Sequence, residues 1–314
     1  MTERAPSDAV KPRYPRRPGS GKAPLASRPA QVRPLLITGA AGTLGRAFAR
    51  LCEAHDVAHR LLTRQDLDLA SPAAIVTMLT ATRPWAVINA AGYVRIDAAE
   101  TEAAACTRDN TAAATNLALA CAAQGIQLLT FSTDMVFDGH KTTPYLESDP
   151  AAPLNHYGRC KRAAELGVLA ALPEALVIRT SAFFGPSDPH NFAIAVLRTL
   201  HAGHSFLAAD DLTVSPTYVP DLVQRCLGLL LDQTSGIGHL SSGEAVTWAA
   251  FARRIAAIAG LSAARVAGVP HTRLGLIAAR PAYAALGSER GWSLPSLDDA
   301  LHRWLTDLDP QLSP

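Results

Sequence analysis

Leu35-Leu36-Ile37-Thr38-Gly39-Ala40-Ala41-Gly42-Thr43-Leu44-Gly45 is the stretch on which the reading of this chain turns. Its first four residues read as a short apolar strand and run without a linker into glycines at positions 39, 42 and 45. An amphipathic helix follows, with Leu44, Phe48 and Leu51 along one side. A glycine turn between strand and helix lets backbone approach a pyrophosphate closely. The helix N-terminus then offers unpaired N–H groups and the positive end of its dipole. Glycines alone would mean little; strand, glycine turn and helix in that order point to a dinucleotide site.

Working outward, the pattern repeats. A second strand is predicted over 58–62, a helix opened by Ser71-Pro72, and a third strand over 85–89. An alanine-rich helix over 110–124 ends at Gly125, a fourth strand covers 126–132, a helix 155–172 and a fifth strand 176–180. Strands alternating with helices of this length predict an α/β fold with a doubly wound parallel sheet of the Rossmann type. After residue 181 the regularity falls off, although helices are expected near 191–202, 219–231, 247–259 and 296–307. The expected organisation is a basic, Pro-rich tail over 1–33, a cofactor domain over 34–180, and a smaller C-terminal substrate lobe over 181–314. That lobe is expected to return some elements to the main sheet.

Charge is unevenly placed. Residues 1–33 hold eight Lys/Arg against Glu3 and Asp8, a local +6, so the rest of the chain carries −4 of the total +2. An acidic body argues against a nucleic-acid surface. No apolar run reaches the 18 or so residues a membrane span needs. Prolines and Gly19-Ser20-Gly21 make the tail a linker by composition, one that could join a protein partner or a further domain. Arg16-Arg17 is followed by no apolar stretch, which speaks against a secretory signal. The five cysteines, Cys52, Cys106, Cys121, Cys160 and Cys226, form no CxxC pair and no metal-ligand spacing. They read as reduced, buried small hydrophobes in a cytoplasmic protein, with no metal site expected.

Two further segments carry chemistry. Tyr157 and Lys161 stand four apart on a predicted helix and therefore share a face. A free tyrosine titrates near ~10, and a neighbouring ammonium would lower that value and help Tyr157 exchange a proton with a carbonyl or hydroxyl. Ser132-Thr133 ends the fourth strand, at the sheet edge where ligands of such folds sit. The second strand ends Leu61-Leu62-Thr63-Arg64, with no acid for the ribose hydroxyls. Arg64 and Arg46 facing a 2′-phosphate would favour NADP(H) over NAD(H). Arg64 as an ordinary solvated strand end stays open beside that reading.

These segments resemble the dTDP-4-dehydrorhamnose reductase family of extended short-chain dehydrogenase/reductases. The likeness rests on residues 36–45 and on Val87-Ile-Asn-Ala-Ala-Gly-Tyr93 with Asp97-Ala-Ala-Glu100. It continues through Ser132-Thr-Asp-Met-Val-Phe-Asp-Gly139, Pro153-Leu-Asn-His-Tyr-Gly158 and Lys161. Arg179-Thr-Ser181, Asn191-Phe192, Ser215-Pro-Thr217 and Arg280-Pro281 complete it. The resemblance implies Thr133, Tyr157 and Lys161 as the catalytic set, with Tyr157 and Lys161 also touching the cofactor and Lys161 able to hold its ribose. It implies Gly39, Gly42, Thr43, Leu44 and Gly45 around the pyrophosphate, Asp68 and Leu69 beside the adenine, and Ala90, Ala91 and Tyr93 along the cofactor channel. Thr133, Asp134, Met135 and Ala182 would meet a nucleotide-linked 4-keto sugar, which NAD(P)H reduces. A homodimer is implied as well, and Mg²⁺ is left open.

The chain departs from the family pattern at Met135, where an aromatic Tyr is usual, and at Ala182, where Trp is usual. Leu212 and Val214 replace Gln and Gly. All four fall on the expected substrate pocket. An alternative is a catalytically silent NADP-binding regulatory protein resembling the methionine adenosyltransferase β subunit, which the opening Leu44-Gly45-Arg46 also resembles. An epimerase or dehydratase ranks last, because Asp134 is followed by Met135 rather than by a second acid.

Overall fold

A computed structural model describes residues 33–308. The basic tail expected over 1–33 therefore lies outside the described residues except for Arg33, as do residues 309–314. The first run is β1 (Leu35–Thr38), α1 (Thr43–Ala54), β2 (His59–Leu62), α2 (Pro72–Thr82) and β3 (Ala86–Asn89). A short α3 (Ala103–Cys106) continues through a π-helical turn, Thr107–Ala112, into α4 (Ala113–Gln124). Then come β4 (Gln127–Thr133), a 3₁₀ turn over Asp134–Val136, α5 (His156–Ala171) and β5 (Leu176–Thr180). The remainder is β6 (Phe183–Phe184), α6 (Phe192–His201), β7 (Phe206–Ala209), β8 (Thr213–Val214) and β9 (Thr217–Tyr218). These are followed by α7 (Val219–Leu231), β10 (Gly236–His239), β11 (Val246–Thr247), α8 (Trp248–Ile258), β12 (Val266–Val269) and α9 (Leu297–Thr306).

Six strands make the main sheet in the order β10-β5-β4-β3-β1-β2, every pair parallel. The chain moves outward from β1 to β2 and then crosses back to β3. That reversal opens a crevice at the carboxyl ends of β1 and β3, where such sheets bind ligands. The expected doubly wound α/β fold is thus borne out. Side chains of the strands alternate between two cores. Leu35, Ile37, Ile88, Leu129 and Ile178 pack with Phe48 of α1 and Val223 and Leu227 of α7. Leu36, Val87, Leu128 and Val177 face the other way, onto Ile75, Leu79, Leu117, Cys121 and Val168 of α2, α4 and α5. Strands buried on both faces explain the near-continuous apolar runs in the sequence.

Helix starts follow local chemistry. Ser71, Asn155, Asn191, Thr247 and Ser296 each accept a hydrogen bond from a backbone N–H of the first turn, which satisfies an otherwise orphaned donor. The helix expected as one piece over 110–124 is different. It starts earlier and carries the π turn, which widens the coil and lets the Asn110 side chain turn inward, where it is 3% exposed. Sequence periodicity does not report such a bulge.

Beyond β5, Phe184, Leu197, Phe251, Ile255, Leu301 and Trp304 form a third core around α6, α8 and α9. By contrast α7 packs on α1, and β10 joins β5 at the edge of the main sheet. No helix among the described residues is long and apolar enough to cross a membrane.

Candidate active site

The crevice above β1 and β3 is a cleft of about 520 Å³. Its floor is the turn from Thr38 to Leu44, and its walls are Leu62–Arg64, Leu67–Ala70 and Ala90–Gly92, with Val94 and Asp109 at the rim. Gly39 shows why the turn needs glycine: its φ is +80°, and a Cβ there would lie 2.6 Å from the Ala90 carbonyl oxygen. At the base of the turn Thr38 Oγ1 donates to Asn89 Oδ1 (2.8 Å), and Asn89 Nδ2 donates to Thr130 Oγ1 (3.2 Å), so one chain of side chains braces β1, β3 and β4. A cradle of bare backbone at a helix N-terminus fits a dinucleotide pyrophosphate.

Of the expected cofactor residues, Gly39, Gly42, Thr43, Leu44, Arg64, Asp68, Leu69, Ala90 and Ala91 line this cleft. Two do not. Gly45 lies beneath the turn, where a Cβ would sit 2.3 Å from the Gly39 carbonyl oxygen, so it packs helix against strand. Tyr93 is buried among Ala99, Cys106, Tyr157 and Cys160, and its hydroxyl donates to Glu102 (3.0 Å). Gly92 and Val94 take its place on the cleft wall. Arg64 pairs with Asp109 at 2.7 Å while staying 60% exposed, and Arg46 donates to the Ala41 carbonyl. Asp188, from the loop before α6, accepts from Thr43 Oγ1 at 2.7 Å and thus sets a carboxylate at the start of α1. Sequence reading had no signal for it.

Gly92 leads from the cleft to the second half of the site. A Cβ on it would be 3.5 Å from Lys161 Nζ. Asn155 caps α5 by accepting from Gly158 N (2.7 Å), which aims the first turn of the helix at the end of β4. Gly158 permits very close contact there, since a Cβ would stand 2.2 Å from the Met135 carbonyl oxygen. Tyr157 is consequently buried near Thr133, and Lys161 Nζ lies 5.9 Å from the centroid of the Tyr157 ring and donates to the Phe131 carbonyl (3.2 Å). Thr133, Tyr157 and Lys161 are therefore brought together.

The electrostatics differ from the sequence expectation. Burial, reinforced by the charge of Asp134, pushes the Tyr157 phenol above its ordinary value, against a smaller pull from Thr133. Burial also brings the Lys161 ammonium down to about 8, opposed by Cys106 and Glu165. Burial of the phenol is the largest influence on Tyr157 and favours the neutral form. Tyr157 holds its proton.

Asp134 is 3% exposed, and both its oxygens are engaged, Oδ1 by Thr133 Oγ1 (2.9 Å) and Oδ2 by Ser181 Oγ (2.5 Å). Burial pushes its carboxyl up to about 6, against those two hydroxyls. These contacts tie the Thr133 side chain to Ser181, just past the end of β5. Met135 is half-buried beside Tyr157. Ala182 adopts φ +43°, a left-handed conformation uncommon for a residue with a Cβ. Leu212 and Val214 are 4% and 3% exposed, so those two departures sit in the core rather than in a pocket. The wall above α5 comes from far along the chain. Arg280 and the backbone N–H groups of Ile277 and Ala278 converge on Asp97 Oδ1, and Asn155 Nδ2 donates to the Ala279 carbonyl.

Beneath the site lies a charged network whose centre sequence reading missed. Arg179 forks onto Glu165 with two 2.7 Å bonds, Ser132 Oγ donates to Glu165 at 2.6 Å, and Arg162 adds a fourth contact at 2.8 Å. Burial alone would raise Glu165, but Arg179, Ser132 and Arg162 hold it below the usual carboxylate range. Glu165 stands one turn beyond Lys161 on the same face of α5, a position that marks it as inward-facing.

A sequence model of the RmlD substrate binding domain matches residues 33–308. A dTDP-4-dehydrorhamnose reductase of Mycobacterium tuberculosis is 35% identical over 285 residues, covering 89% of this chain and 92% of that protein. The chain belongs to the dTDP-4-dehydrorhamnose reductase family. Another relative, the dTDP-4-keto-6-deoxy-D-glucose reductase of Streptomyces niveus, is 34% identical over 274 residues, 87% of this chain and 94% of its own length. Among solved structures, the family's reductase from Bacillus anthracis, in complex with NADP, aligns with a TM-score of 0.84 at 28% identity. That alignment covers 88% of this chain and 99% of the Bacillus protein. The family resemblance read from the sequence is borne out.

Proposed function

We propose that this chain is an NAD(P)H-dependent oxidoreductase that reduces the keto group of a nucleotide-linked 4-keto-6-deoxy sugar. The observation that carries the chemistry is the meeting of Thr133, Tyr157 and Lys161 next to the cleft, with Lys161 close to its wall residue Gly92. The relatives named above support the substrate class, and the NADP of the Bacillus structure supports a nicotinamide cofactor.

A bound nicotinamide supplies the hydride for the carbonyl carbon. Gly39, Gly42, Thr43 and Leu44 would hold its pyrophosphate, Asp68 and Leu69 would flank the adenine, and Ala90 and Ala91 would border the channel. Tyr157 keeps its phenolic proton in the dry pocket and gives it to the carbonyl oxygen as negative charge develops there. Thr133, fixed by Asp134, orients that oxygen. Lys161 would hold the cofactor ribose and compensate the tyrosinate left after proton transfer. Arg64, two residues past β2, lines the cleft with a largely exposed guanidinium, which favours NADP(H). The half-buried Met135 and the small Ala182 leave the sugar a pocket without the family's aromatic pair.

The test is reduction of dTDP-4-keto-6-deoxy-L-mannose, followed by loss of NADPH or NADH absorbance. Tyr157→Phe is expected to lower kcat by about 10²-fold or more while NADPH binding, read by fluorescence, is kept. An unchanged rate in that variant would sink the mechanism. Cofactor binding with no turnover on any keto sugar would favour the regulatory, partner-binding alternative.

A further inference from the structure

Cys106, His156 and Cys160 hold their ligand-capable atoms within 4.8 Å of one another, the one such group among the described residues. Nothing in the proposed reduction uses them. His156 and Cys160 stand four apart at the start of α5 and so face the same way, the spacing that lets two ligands on one helix reach one ion. Cys106 comes from the opposite side, at the end of α3, where the chain enters the π-helical turn. Such turns collect at functional sites. Both sulfurs are buried, at 0% and 3% exposure, and the imidazole is half-buried, which leaves a way in.

We propose that Cys106, Cys160 and His156 form a binding site for a zinc-class divalent cation directly behind the Tyr157–Lys161 pair. Two thiolates and a neutral imidazole select a borderline-soft ion and reject Mg²⁺ and Ca²⁺, which require oxygen donors. Binding releases the two thiol protons, so Zn²⁺ with two thiolates adds no net charge to the buried pocket. At Zn–S of about 2.3 Å and Zn–N of about 2.0 Å, tetrahedral ligand atoms stand roughly 3.5–3.8 Å apart. Side-chain rotation of about 1 Å closes the present spread.

The surroundings fit as well. Asn110 Nδ2 is 3.5 Å from Cys106 Sγ and is itself fixed by two hydrogen bonds with the Tyr93 backbone, an oriented N–H donor for a metal-bound sulfur. Thr107 Oγ1 lies 3.2 Å from His156 Nε2 and 3.4 Å from Cys160 Sγ, a further polar atom against the group. His156 Nε2 is also 3.2 Å from the Ala103 carbonyl, a contact it exchanges for the metal.

The chelator-stripped full chain, kept reduced without added thiol, is titrated with Co²⁺ and the absorption spectrum recorded. One equivalent is expected to give thiolate-to-cobalt charge-transfer bands with the visible bands of a tetrahedral ion, both abolished by Zn²⁺. Cys106→Ser and Cys160→Ser lose the charge-transfer bands, whereas Cys226→Ser, remote on α7, retains them. His156→Ala, at a half-buried position that folding tolerates better, weakens Zn²⁺ binding by about 10-fold or more. Absence of thiolate bands in the unaltered chain overturns the site, and so does their survival in both cysteine variants. The spectrum reads the metal alone, so its result stands apart from any assay of sugar reduction.

Discussion

Above β1 and β3 the site is made of backbone and small side chains, and its wall is shaped by what is missing: no Cβ at Gly39, only methyl groups at Ala90 and Ala91. Above β4 and β5 it is made of buried polar side chains locked to one another, Thr133 to Asp134 to Ser181, and Ser132 to Glu165 to Arg179. The first region can receive a large ligand because its N–H groups are left free at a helix terminus. The second places one phenol with little freedom to move, because the neighbouring polar atoms are already satisfied. Binding is left to the backbone and chemistry to a braced set of side chains.

The largest break in that contrast is expected from Glu165→Gln. It leaves the Arg179 guanidinium buried without its counter-charge, which costs roughly 3–5 kcal/mol. Chemical denaturation should show the loss. A variant as stable as the parent would mean that the network does not brace the region. Gly39→Ala probes the other half. Its Cβ meets the Ala90 carbonyl and its φ is unfavourable for alanine, a strain of about 1–3 kcal/mol. NADPH affinity measured by fluorescence should drop while the Tyr157 environment is kept. Loss of stability without loss of affinity would assign Gly39 to packing only.

A smaller effect follows pH. His239 is buried at the edge of the network, and burial holds its imidazole below the ordinary value, helped by Arg179 and opposed by Glu147 and the Gly287 and Tyr145 carbonyls. The unfolded chain therefore takes up this proton first. Stability attributable to His239 is complete above about 6.5, the unfolded value, and declines as pH falls through the lower folded one. Thermal melts of His239→Gln should flatten that acid-side slope, and an unchanged slope would place the titration elsewhere. The smallest change is expected at the cleft mouth. Asp188 presents a carboxylate at the helix terminus where pyrophosphate would sit, and Asp188→Asn should tighten cofactor binding about 2- to 5-fold. Weaker binding would instead make Asp188 a useful part of the cleft.

Much of the cofactor half was legible because its determinants are local. Strand, glycine turn and helix occupy eleven consecutive residues, 35–45, and steric rules act on neighbours. Ser71-Pro72 announced its helix for the same reason. Where sequence reading went astray, the deciding contact was distant or geometric. Gly45 and Tyr93 belong to the right segments but turn away from the cleft. Asp134 follows Thr133 in the chain, yet its role comes from Ser181, 47 residues on. The help expected from Lys161 rested on a single neighbouring charge, whereas burial of the phenol has the larger effect.

By itself the sequence determined the doubly wound sheet, the place of the dinucleotide turn, and the Tyr157–Lys161 pair on one helical face, since each depends on residues within a few positions of one another. The tertiary structure alone decided which polar groups are dry, which carboxylates are spoken for, and that Cys106 meets Cys160 and His156. Burial and long-range proximity depend on how strands far apart in the chain are laid side by side. The spacing of five cysteines along a line carries no record of that.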